Sequence, residues 1–146
     1  GAAIAGGLFP VLCSDYRIAG PRATFGLAEV RVGVGMPAGL MEIIRSMLSP
    51  NDLRRILQNG AAIPVDAAIQ AGIVDELVQA GDALGQALKV ARDYIQIPPK
   101  AYATIKYQNR QHVIEALKAE IAKSGASGPV PWFTAETASA MAKMVG

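Results

Sequence analysis

The sequence predicts an α/β domain in which short strands and small helices fill the first half and helices fill the second. Three observations predict it. Glycine and proline, 15 and 9 of 146 residues, recur often enough through the first eighty positions to keep every apolar piece there short. From about residue 81 onward, apolar residues recur at helical spacing instead. The chain is 51% hydrophobic but only 5% aromatic, with abundant alanine and glycine, which favours close helix packing over an aromatic-rich β core. The length is enough for one domain that buries most of what its unfolded form exposes.

In chain order, Gly6-Gly7 leads into a helix from Leu8 to Ser14, with Pro10 in its first turn where a missing N–H does no harm. Asp15 to Ala19 reads as a strand, Gly20-Pro21 as a turn, and Ala23 to Gly26 as a second short extended piece. Gly33, Gly35, Pro37 and Gly39 make a loop. Leu40, Ile43, Ile44, Met47 and Leu48 then share one helical face. Ser49-Pro50 is a cap followed by proline at the first helical position, Leu53, Ile56 and Leu57 are that helix's stripe, and Gly60 ends it. Pro64 to Ala71 is a short helix stopped by Gly72, and Ile73 to Val78 reads as a strand.

The rest is helical. Leu84, Leu88, Ala91 and Ile95 mark one stripe. Pro98-Pro99 separates it from a helix with Tyr102, Ile105 and Lys106, and a further amphipathic run holds Val113, Ile114, Leu117 and Ile121. Ser124 to Pro131 reads as a linker. Trp132-Phe133 is expected to anchor a last helix capped by Thr134 and carrying Met141 and Met144. So sparse a strand pattern cannot make a self-sufficient sheet.

Composition excludes several function classes. The formal charge is only +2 and no basic run stands out, which argues against nucleic-acid binding. No apolar run is long enough to span a membrane, and no leader segment is visible. The single cysteine, Cys13, cannot form an internal disulfide, suits a reducing compartment such as the cytoplasm, and reads as a small buried hydrophobe beside Leu12. His112 is the only histidine and is expected in solvent, so multi-His metal sites are excluded. Gly33-Val34-Gly35 lacks the third glycine of a dinucleotide fingerprint. Arg17, Arg22 and Arg31 read as solvated surface charge.

Two features carry chemistry. The glycine pair ahead of the first helix can let a ligand reach backbone N–H groups at the positive end of a helix, although such a pair also serves a tight junction. Glu29 is a lone carboxylate just after Phe25-Gly26; by position alone it reads as exposed, and in a water-poor pocket it could act as a base.

Gly6-Gly7, Asp15-Tyr16-Arg17-Ile18-Ala19, Phe25-Gly26-Leu27-Ala28-Glu29-Val30 and Gly33 together resemble the enoyl-CoA hydratase/isomerase (crotonase) family in residue type and spacing. Ala67 through Glu76 resembles a second segment of that family, and the clear resemblance covers about residues 1 to 108. It implies a partial crotonase (ClpP/crotonase-like) spiral fold. Residues 1–80 would be the C-terminal part of the core, and 81–146 a helical region that packs over the pocket and between subunits of a homotrimer or hexamer. The resemblance further implies an acyl-CoA substrate, coenzyme A being part of the substrate and no separate cofactor being required. Gly6 would supply one oxyanion donor and Glu29 would transfer the proton, with Gly7, Phe9 and Phe25 against the substrate. The second oxyanion donor of the family lies on an earlier loop that would precede Gly1, so the chain is expected to be a fragment, weak or inactive alone.

One departure bears on the reaction. Where hydratases of the family carry a second glutamate, this sequence has Phe9, which can neither orient a water nor donate a proton. Single-base double-bond isomerisation is therefore expected in preference to hydration. The rival expectation is a non-catalytic assembly module that has lost its chemistry.

Overall fold

The computed structural model describes residues 1–127 and 133–145. It opens on a strand that the sequence pattern does not announce, β1 (Ala2–Ile4). A 3-10 turn over Ala5–Gly7 leads into α1 (Leu8–Cys13), whose inner face buries Leu8, Phe9 and Leu12. Cys13 is exposed, against expectation. It follows Leu12 by one position, about 100° around the helix, and so rotates off the buried face.

The expected strand at Asp15 to Ala19 is reduced to β2 (Ile18–Ala19). Asp15 and Tyr16 instead turn their side chains to Tyr102 and Glu76. β3 (Thr24–Gly26) runs parallel to β1, with Ala2 opposite Thr24 and Ile4 opposite Gly26. On its other side β3 pairs antiparallel with β4 (Ile63–Pro64), which gives a three-stranded sheet in the order β1-β3-β4.

After β3 the chain makes a 3-10 turn over Glu29–Val32. Then come α2 (Ala38–Met47) and α3 (Pro50–Asn59). The latter begins and ends as its sequence predicts. Ser49 caps it by accepting the Asp52 N–H at 3.2 Å, and Gly60 closes it in the left-handed region at φ 66°. α4 (Val65–Gln70) ends before Gly72. Of the expected strand at 73–78, only β5 (Glu76–Leu77) pairs, parallel to β2. Ile73 and Val74 are buried, but their N–H groups turn back to the Ala68 carbonyl at 2.8 and 3.3 Å and extend the helix end.

α5 (Ala83–Tyr94) follows. Its stripe faces outward, with Leu84 72% and Ile95 74% exposed, while Ala83 and Ala87 border a cleft with Ile18 of β2. The two helical segments expected beyond Pro98 are one helix, α6 (Pro99–Ser127), because neither proline nor glycine interrupts positions 100–124. The helix covers the first four residues of the expected linker; residues 128–132, including Trp132, lie outside the described residues. Thr134 caps α7 (Ala135–Val145) by accepting the Thr137 N–H at 3.2 Å. Phe133 is exposed, so it does not anchor this helix, and the side chain of Met144 lies outside the described residues.

One core joins these pieces. Leu8, Leu12, Leu27, Ile44 and Ile73 are fully buried, and Phe25, Ile56, Val65 and Ala68 pack with them. Burying each large aliphatic side chain is worth about 1.5–3 kcal/mol. α6 lies against α2 and is clamped to the end of α1 through Asp15. That carboxylate accepts from Tyr102 Oη at 2.7 Å, from Lys106 Nζ, and from Arg110 Nη2 at 3.1 Å. Burial alone would raise the Asp15 pKa. The hydrogen bonds from Lys106 and Tyr102 and the charges of Lys106 and Arg110 outweigh that and hold it below the usual carboxylate value. His112 is exposed, as expected.

Candidate active site

Parallel pairing sets the geometry. β1 and β3 point the same way with Ile4 beside Gly26, so both chains leave the sheet at one edge, about 4.8 Å apart. Gly6 follows two residues after Ile4 and Glu29 three residues after Gly26. In open α/β sheets this carboxyl end is where ligands bind.

On the β1 side, Ala5 has φ 51°, a left-handed conformation that costs an alanine about 1 kcal/mol. Alanine carries no sequence signal for this, so the feature was not legible. The two glycines that follow are exposed. Gly7 has φ −70° and ψ −16°, which any residue can adopt, and Gly6 is likewise outside the positive-φ region. A Cβ added at either would meet nothing within 4 Å. Neither backbone conformation nor packing within the chain therefore requires glycine at positions 6 and 7. A bare backbone there leaves room for something outside the chain.

On the β3 side, Glu29 is only 9% exposed, and its Oε2 is buried without a hydrogen-bond partner among the described residues. A buried polar atom left unpaired costs roughly 1–3 kcal/mol and calls for an explanation. The turn that carries it is pinned from three directions. Gly33, at φ 66°, closes the turn with its N–H on the Glu29 carbonyl, a left-handed position that only glycine takes without strain. Arg31 reaches α3, donating to the Asn59 carbonyl at 2.9 Å and to its Oδ1 at 2.7 Å. From α7, the buried Thr137 donates to the Gly33 carbonyl at 3.1 Å. The expectation from position alone, an exposed glutamate, is thereby overturned. Asn59 and Thr137 as supports were not foreseen either, since their sequence distance from Glu29 hides them.

The other residues singled out from the sequence fall elsewhere. Phe9 is buried in the core on α1. Phe25, also buried, borders a cleft of about 290 Å³ with Val11, Ile18 and Val74, a cleft that neither Gly6 nor Glu29 lines. Arg17 is not solvated: its guanidinium pairs with Asp75 at 3.0 Å and is largely buried. No described helix is long and apolar enough to cross a membrane.

The family model described as Enoyl-CoA hydratase/isomerase matches residues 1–126. Enoyl-CoA delta isomerase 1, mitochondrial, from Homo sapiens is 33% identical over 113 residues, 76% of this chain and 37% of that protein. A crotonyl-CoA hydratase from Syntrophomonas wolfei is 31% identical over 91 residues, 62% of this chain and 35% of that protein. The crystal structure of enoyl-CoA hydratase EchA3 from Mycobacterium ulcerans superposes with a TM-score of 0.81 at 26% identity, covering 86% of this chain and 55% of that one. The chain thus spans about two fifths of the length of its curated relatives and about half of the solved ones. With its fold shared and most of its length matched, the chain belongs to the enoyl-CoA hydratase/isomerase family, and its architecture is a crotonase fold in part.

Proposed function

We propose that the Gly6–Glu29 edge moves a proton on an acyl-CoA thioester, shifting a double bond from the β,γ to the α,β position. The observations that carry this reading are the buried, unpartnered Glu29 Oε2 and the exposed Gly6 backbone, which follow within three residues of the paired ends of β3 and β1. The Glu29 carboxylate takes a proton from the α carbon. The electron pair moves into the thioester, whose oxygen gains charge and is met by the Gly6 N–H. The same proton then returns at the γ carbon. One base suffices, and no cofactor is called for beyond the coenzyme A of the substrate.

Isomerisation is preferred to hydration because the position where the family's hydratases place a second carboxylate is Phe9, sealed in the core. Incubation with a β,γ-enoyl-CoA should yield the α,β isomer, at the low rate expected of the chain alone, with no 3-hydroxyacyl product. Accumulation of the hydroxyacyl thioester at a comparable rate would contradict the single-base assignment.

The outward stripe of α5 supports self-association, as a trimer or hexamer, since Leu84, Leu88 and Ile95 would otherwise stay in water. Sedimentation over a range of concentrations should give a mass above the 15.2 kDa monomer. An Ile95→Glu variant should lower that mass, and a wild-type chain that stays monomeric at all concentrations would contradict it. The single exposed thiol suits a reducing compartment, and on that ground we place the protein in the cytoplasm.

A further inference from the structure

Between α1, α2 and α6 lies an open-mouthed cavity of about 470 Å³, within the size range of small-molecule sites. Ile43 and Met47 of α2 and Ile114 and Leu117 of α6 form its apolar walls. Lys106 and Arg110 of α6 line it beside Cys13 at the end of α1, and Ser46 of α2 and Tyr107 of α6 are the other polar-tipped residues of an otherwise apolar lining. We propose that this cavity binds a linear aliphatic carboxylate, with the chain along the walls and the head group at Lys106 and Arg110.

Charge and donor counts support this occupant. Lys106 and Arg110 share one carboxylate, Asp15, so the cluster keeps one uncompensated positive charge. An ammonium group has three N–H donors and a guanidinium five. Their side chains are 41% and 30% exposed; Arg110 also donates through Nη1 to the Cys13 carbonyl at 2.9 Å, which leaves Lys106 the less engaged of the two. An apolar wall ending in a net cation suits an amphiphile with an anionic head and rejects one with a cationic head.

This cavity is separate from the proposed proton-transfer site. It opens at the C-terminal end of α1, whereas Gly6 precedes the N-terminal end. None of its lining residues lies on β1, on β3 or on the turn that carries Glu29. The inference therefore stands or falls independently of the proposed reaction.

Cys13 supplies the test, because it is the only cysteine and its exposed thiol lines the cavity. Alkylation by N-ethylmaleimide is followed while decanoate is titrated below its micelle concentration. Decanoate should slow the reaction saturably, and each methylene added from hexanoate upward should tighten binding by up to about fourfold until the cavity is full. Decyltrimethylammonium should give no protection. Lys106→Gln leaves Arg110 and Tyr102 on Asp15 and should weaken decanoate roughly tenfold, with decanol unaffected. Ala103→Phe, placed at the exposed mouth, should abolish protection without lowering the melting temperature. The proposal is overturned if the cationic amphiphile protects as well as decanoate, if chain length has no effect, or if blocking position 103 changes nothing. It is equally overturned if decanoyl-CoA, whose carboxyl is capped, protects as well as the free acid.

Discussion

Replacing Glu29 by glutamine is expected to cut turnover on an enoyl-CoA by a factor of about 10² to 10⁴ while leaving the fold intact. The two effects have separate causes. Glutamine has the shape of glutamate but no basic oxygen, so it cannot accept the α proton, and positioned bases contribute factors of that order. The fold should tolerate the change because Glu29 Oε2 has no partner to lose among the described residues. Glutamine places a polar atom of similar size in the same unpartnered position, so the cost of burying it changes little. A group that earned its place by stabilising the fold would behave in the opposite way. Turnover and thermal melting measured on the same preparation decide between them. Unchanged turnover, or a large fall in melting temperature with turnover per folded molecule preserved, would make Glu29 a structural residue.

The second large effect is expected at the glycine pair. Gly6→Val should leave the melting temperature nearly unchanged, because a Cβ there meets nothing within 4 Å and the backbone is not in the left-handed region. It should nevertheless lower kcat/KM at least tenfold. The added side chain stands in the space through which a thioester oxygen must approach the Gly6 N–H, and losing one oxyanion donor is worth about 10² to 10³ in rate. Valine tolerated in both assays would show that this space is unused. A valine variant that fails to fold would show that the glycines serve packing after all.

How much of this was legible in the sequence depended on whether the governing chemistry was local. The caps at Ser49, Gly60 and Thr134 were readable because a cap is written within three or four residues. The strands were not. β1 and β4 are three and two residues long, and their existence depends on pairing with β3 across gaps of more than twenty positions. Periodicity identified which residues of α5 share a face but not which face turns inward. The small Ala83 and Ala87 approach the sheet, and the larger stripe was left outside. Residue pattern alone placed Glu29 in solvent, and only the family resemblance marked it. Its burial comes from α3 and α7, whose supporting residues Asn59 and Thr137 are 30 and 108 positions away. The family itself was legible because its motif strings run nearly unbroken from Gly6 to Gly33 and again from Ala67 to Glu76.

The central claim is that the amide of Gly6 and the carboxyl of Glu29 meet the same ligand. The most direct measurement labels both, ¹⁵N at Gly6 and ¹³C at the Glu29 side chain, and follows the two resonances while a non-hydrolysable acyl-CoA analogue is titrated. The account predicts that both shift along one binding curve with one dissociation constant. A saturating ligand that moves one resonance and leaves the other in place would contradict it.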